Sequence, residues 1–166
     1  MRGGRGYAAQ VREVTIIGVR VELPASQPIV LLKENDGERY LPIWIGAVEA
    51  TAIAFAQQGV VTARPMTHDL FRDTLEALGK PLRQVEITEW RDDIYFANLI
   101  FEDGIEVSAR PSDAIALAMR TGSPVFCADE VLDAAGIVVP DEQENEVERF
   151  REFLDTISPD DFNTGS

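Results

Sequence analysis

The sequence is poor in the residues that most often carry redox, metal and nucleic-acid chemistry: its 166 positions hold one cysteine, one histidine and two lysines. Cys127 alone can form no intrachain disulfide and offers no paired-cysteine zinc site, so a reduced, cytoplasmic setting is expected. His68 alone excludes a histidine pair or a multi-histidine metal site. No run of about 18 apolar residues exists, so no membrane-spanning helix and no membrane partner is expected. The basic start Met1-Arg2-Gly3-Gly4-Arg5-Gly6 lacks the apolar stretch of a secretory signal. Also missing are the phosphate-cradling GxxxxGKS or GxxxxGKT loop, the dinucleotide GxGxxG turn, the GxSxG nucleophile elbow and the HExxH zinc helix.

What is abundant is negative charge. Twenty-nine acidic side chains stand against 15 basic ones, a net charge of −14, and residues 141–166 supply half of it with 9 acidic and 2 basic groups. No basic run exists to meet a polyanion, which weighs against nucleic acid as a partner. Apolar residues make up 45% of the chain and are spread along most of it, enough for one self-sufficient core. The expected organisation is a flexible leader over residues 1–10, a compact domain over 11–140, an acidic amphipathic helix over 141–157 and a disordered tail over 158–166. Val147, Phe150, Leu154 and Ile157 recur at helical spacing in the third of these.

From Val11 to Leu23 the sequence is rich in Val and Ile, and Val19, Val21 and Leu23 alternate with Arg20 and Glu22, the period of a half-buried strand. A proline-bracketed turn, Pro24 to Pro28, leads to a second strand over Ile29–Lys33. Asp36-Gly37 favours the positive φ of a tight hairpin and returns the chain through Arg39 to Ile45. Pro42 has no N–H to give a ladder and is expected at an edge or a bulge. Helices are expected over Ala47–Gln58, stopped by Gly59, and from Thr67, read as N-cap, to Gly79, with Leu70, Phe71, Leu75 and Leu78 at helical spacing. Others follow over Ser112–Arg120 and Asp129–Ala135. Further strands are expected at Arg83–Trp90, Ile94–Phe101, Ile105–Ala109 and Val125–Ala128. Two helix-to-strand units echo each other: Arg64-Pro65 precedes a helix that exits through Gly79-Lys80-Pro81, and Arg110-Pro111 precedes one that exits through Gly122-Ser123-Pro124. The expected class is α+β, a single compact domain with a mixed, largely antiparallel sheet flanked by helices, plus the C-terminal amphipathic helix.

Ionisable groups gather at expected helix starts. Thr67-His68-Asp69 brings an imidazole that titrates near neutrality beside a carboxylate, although Thr67 as cap and Asp69 in a first turn are also what helix capping favours unaided. His68 and Asp69 are adjacent, so on a helix they point roughly 100° apart and need not share a site. Arg110-Pro111-Ser112-Asp113 sets a guanidinium, a hydroxyl and a carboxylate where a phosphate oxygen can be held; equally, Ser112 can cap the helix while Arg110 pairs with Asp113. Glu49 in the first turn of an alanine-rich helix is a third candidate.

Taken together, Leu41-Pro42-Ile43-Trp44-Ile45-Gly46 followed by Glu49-Ala50, then Arg64-Pro65-Met66-Thr67-His68-Asp69-Leu70, then Ser108 to Ala118 closely resemble the bifunctional nuclease family, a bacterial and plant group long filed as a domain of unknown function. The resemblance covers about residues 11 to 140 in the same order and spacing. It implies a compact α+β domain, self-association with a dimer favoured, and nuclease activity on DNA and RNA as proposed for plant members. It also implies a candidate site of Glu49, His68, Asp69, Arg110, Ser112 and Asp113. The expected chemistry is metal-assisted phosphodiester hydrolysis. Asp113 with Asp69 or Glu49 holds Mg²⁺ or Mn²⁺, His68 moves protons, Arg110 stabilises charge at phosphorus, and Arg64 and Ser112 bind substrate. The acidic balance supports a rival, a non-catalytic oligomeric module that binds a small anionic ligand or a protein partner. A third possibility is that the motifs encode only an oligomer interface.

Overall fold

The computed structural model describes residues 10–22 and 26–139. The expected leader, apart from residue 10, the turn at 23–25, the acidic helix and the tail lie outside the described residues. Eight strands and four helices follow in order. They are β1 (Val11–Glu22), β2 (Gln27–Glu34), β3 (Arg39–Trp44), α1 (Ala47–Gln57), α2 (Thr67–Ala77), β4 (Leu82–Arg91), β5 (Ile94–Phe101), β6 (Glu106–Ala109), α3 (Pro111–Thr121), β7 (Val125–Ala128), α4 (Asp129–Ala135) and β8 (Ile137–Val138). The class is α+β, with one mixed sheet, as the sequence predicts.

The sheet runs β6-β5-β4-β7-β1-β2-β3-β8. Two three-stranded antiparallel meanders, β1-β2-β3 and β4-β5-β6, are joined by β7, which pairs antiparallel with β1 and parallel with β4. That parallel pair is where the sequence echo leads. Each echoed helix exits through a glycine in the left-handed region, φ 68° at Gly79 and 73° at Gly122, and a proline two residues on delivers the next strand. β4 and β7 then lie side by side with Val85 opposite Val125.

β1 carries a bulge between Ile16 and Gly18, with Gly18 at φ 154°. The extra residue resets the alternation, so that Val14, Ile16 and Val19 join the main core while Ile17 packs with Tyr40 in a second cluster. β8 was not legible in the sequence. It covers only Arg39 and Tyr40 of β3, so at Pro42 no described strand lies along the outer side of β3, and the proline sits at an open edge as expected.

The main core lies between the sheet and the helices. α3 is its centre: Ala114, Ile115, Ala116, Leu117 and Ala118 are all at most 1% exposed. Its alanines allow close approach to β4 and β5 below it and to α1 and α2 on either side. α2 departs from expectation. Leu75 packs against the core, but Leu70, Phe71 and Leu78 are 57%, 40% and 68% exposed, and the buried residue of this helix is His68.

Candidate active site

The first turns of three helices meet. Glu49 sits in that of α1, His68 in that of α2 and Asp113 in that of α3, with Arg110 as N-cap of α3. Arg110 lies between two carboxylates: its Nη2 is 3.1 Å from Glu49 Oε2 and 2.7 Å from Asp113 Oδ2, and its Nε donates to Asp113 Oδ2 at 2.9 Å. His68 Nε2 is 3.0 Å from Asp113 Oδ1. Glu49, Arg110, Asp113 and His68 thus form one continuous polar chain joining all three sequence motifs. Gly46, the N-cap of α1, helps to set it, because a Cβ there would meet the Glu49 carboxylate.

The chain is buried at both ends and open at Arg110: the side chains of His68 and Glu49 are 10% and 16% exposed, Asp113 34% and Arg110 65%. Burial pushes the Asp113 carboxyl upward, but the hydrogen bonds from His68 and Arg110 outweigh it and hold the group below the usual aspartate range. Its partnership with Asp113, and then with Glu49, raises Arg110 above the ordinary arginine value. An ionised carboxylate only accepts, so Nε2 of His68 carries a proton and donates it to Asp113, and in the neutral form of the ring Nδ1 is the basic nitrogen. The hydrogen bond described for the His68 ring runs through Nε2, and the residue is 8% exposed.

The other candidates stand elsewhere. Asp69 diverges from His68 as their adjacency requires: its carboxylate accepts from the Met66 N–H at 3.0 Å and from Arg120 Nε at 2.7 Å. Thr67 is the first helical residue rather than the cap. Met66 takes the cap position in extended conformation, and Asp69 satisfies its backbone, a correction to the expected start of α2. Ser112 likewise does not cap α3. It lies inside the first turn, 6% exposed, while Arg110 is the N-cap. Arg64 is exposed and pairs with no described acidic group. Arg120 is a residue the sequence reading missed. Its side chain, 7% exposed, also donates to the Ala116 and Ala52 carbonyls, so it fastens α1, α2 and α3 together.

As arranged, the carboxylates do not fit a resident Mg²⁺ or Mn²⁺. Arg110 occupies the space between Glu49 and Asp113, Asp69 faces Arg120, and among the described residues no three His, Cys, Asp or Glu side chains could hold a metal ion together. Cys127 supplies no nucleophile, since burial pushes its thiol up to about 12. No helix among the described residues is long and apolar enough to cross a membrane.

Comparison with known proteins agrees with the motif arrangement. The family model of the bifunctional nuclease domain matches residues 30–140, and the chain belongs to that family. It is 52% identical over 159 residues to an uncharacterised protein of Mycobacterium tuberculosis, covering 90% of this chain and 97% of that one. It is 27% identical over 131 residues to bifunctional nuclease 1 of Oryza sativa subsp. japonica, and 30% identical over 108 residues to bifunctional nuclease 2 of Arabidopsis thaliana. Those matches cover 75% and 61% of this chain but only 39% and 33% of the plant proteins.

Proposed function

We propose that the protein hydrolyses phosphodiester bonds of nucleic acid at the His68-Asp113-Arg110 chain. The observation that carries this reading is the meeting of all three motifs in one hydrogen-bonded group that pairs a basic imidazole nitrogen with an exposed guanidinium. Arg110 binds a phosphate oxygen and neutralises the charge that grows on it as the bond to the attacking water forms. His68 Nδ1 removes the water proton. When the phosphorus–oxygen bond to the leaving sugar breaks, the imidazolium returns that proton to the leaving oxygen. Asp113 orients the ring and stabilises its charged form, and Glu49 positions Arg110. No step runs through a metal, because the residues as placed do not fit one.

The test is hydrolysis of single-stranded DNA and RNA by the purified protein beside His68→Ala and Asp113→Asn, each with added Mn²⁺ and with a chelator. General acid–base loss at His68 lowers kcat by about 10²- to 10⁴-fold. Survival of wild-type activity in chelator is expected. Activity that needs Mn²⁺ would return the metal to the reaction, and equal activity in all three proteins would identify a contaminant.

A second reading, a non-catalytic oligomeric module, has one specific observation in its favour. Large apolar side chains near the site in sequence are exposed: Trp44 57%, Val48 75%, Met66 44% and Leu70 57%. Large exposed apolar side chains mark an interaction site where they lie together in one patch. A homo-oligomer that covers Val48, Met66 and Leu70 and leaves Trp44 open is compatible with either reading.

A further inference from the structure

Beside Arg110, the most exposed member of the polar chain, lies a cleft of about 380 Å³. Trp44, at the end of β3, lines it together with Asp93, Ile94 and Tyr95 of the β4–β5 hairpin, and it reaches Arg110 and Ser112 at the start of α3. The hairpin turns through Asp92 and Asp93, both at positive φ, 54° and 63°, the conformation of a tight two-residue turn. Tyr95 is anchored, its hydroxyl donating to the Pro42 carbonyl at 3.3 Å and its ring stacked on Trp90. Trp44 is 57% exposed, a large aromatic left uncovered next to a guanidinium that is itself 65% exposed.

We propose that this cleft is a nucleobase subsite: Trp44 stacks on an unpaired base while Arg110 takes the adjoining phosphate, so that the substrate is single-stranded. The ligand class rests on the nuclease reading. The chemistry of the lining gives the ligand one orientation. A phosphate is repelled at the Asp93 end and held at the Arg110 end, whereas a base offers its ring to Trp44 and its amino group to the Asp93 carboxylate. A base inside a duplex presents no free face, so double-stranded substrate cannot use the subsite.

The experiment measures fluorescence anisotropy of a short, fluorescein-labelled oligodeoxyadenylate with wild type, Trp44→Ala and Trp44→Phe, alongside an abasic strand of equal length and the matching duplex. Trp44→Ala should weaken binding of the adenylate by about tenfold and Trp44→Phe should recover most of it. The abasic strand should bind wild type as weakly as the adenylate binds Trp44→Ala, and should lose nothing further in that variant. The duplex should bind no better than the abasic strand. Adenylate and abasic strands that bind wild type equally, or an adenylate that binds Trp44→Ala as tightly as wild type, would overturn the subsite; so would the absence of any binding by wild type. The wild-type comparison of strands does not depend on any variant folding. Cleavage is scored separately. Base-dependent binding without hydrolysis keeps the subsite and removes the nuclease, and hydrolysis with base-blind binding does the reverse.

Discussion

His68 and Asp69 are neighbours with separate tasks, and the difference can be measured. Asp69 joins the Met66 backbone to Arg120, and Arg120 in turn holds carbonyls of α1 and α3, so removing the carboxylate leaves a nearly buried guanidinium short of its counter-charge. Asp69→Asn should lower stability in urea unfolding by about 2 kcal/mol at neutral pH, the scale of a lost hydrogen bond to a charged group. Burial alone would raise the Asp69 carboxyl, but the Met66 N–H and Arg120 hold it below the ordinary aspartate value. The folded value is therefore lower than the unfolded one. The contribution is complete above about pH 4 and is lost as pH falls through the folded value, so the acid limb of the stability profile should be flatter in Asp69→Asn. The first-turn position of Asp69 was legible as a helix-start signal. Its partner was not, because Arg120 lies 51 residues further on and nothing in local spacing links the two.

At the scale of elements, periodicity located α2 but misjudged what covers it. Leu70, Phe71, Leu75 and Leu78 share a helical spacing, which says that a face seeks cover without saying from which neighbour. In the fold α2 packs on α3, with Leu75 against the core and His68 buried, and the rest of the stripe is exposed. Leu75→Ala should cost about 2 kcal/mol, the lower end for a truncated core leucine, in the same unfolding assay. Leu70→Gln should stay within about 0.5 kcal/mol if the chain is monomeric. Should a second copy cover the stripe, Leu70→Gln would instead shift the sedimentation profile toward monomer. The strands and α3 were legible because alternation, Gly exits and the Arg-Pro helix starts are local signals. β8 was not, since two residues, Ile137 and Val138, are too few to show a period. The pairing of β4 with β7 shows the same division: the echo hinted at two like units, but only the fold makes their strands neighbours.

For the whole molecule the governing quantity is the net charge of −14. A protein that binds nucleic acid through many lysines and arginines loses affinity steeply as salt rises, because each neutralised phosphate releases counterions. Here the candidate site presents one exposed guanidinium, Arg110, already shared by Glu49 and Asp113, so the counterion term is that of about one contact. The opposing term is the repulsion between an acidic surface and every phosphate beyond that contact. Raising monovalent salt from about 0.01 M to about 0.1 M shortens the screening length from about 30 Å to about 10 Å and removes most of this repulsion. KM for a short single strand should therefore fall, or hold level, over that range, and longer strands should gain more than short ones because they carry more repelled phosphates. A salt series of initial rates on strands of increasing length tests this. A KM that climbs steeply with salt would mean that a basic surface, assembled from copies of the chain or from residues outside those described, meets the substrate instead. The motifs made the family and most of the polar chain legible, but whether acidity forbids a polyanion or only limits its length depends on where Arg110 and Trp44 stand relative to the acidic groups, and that placement belongs to the fold.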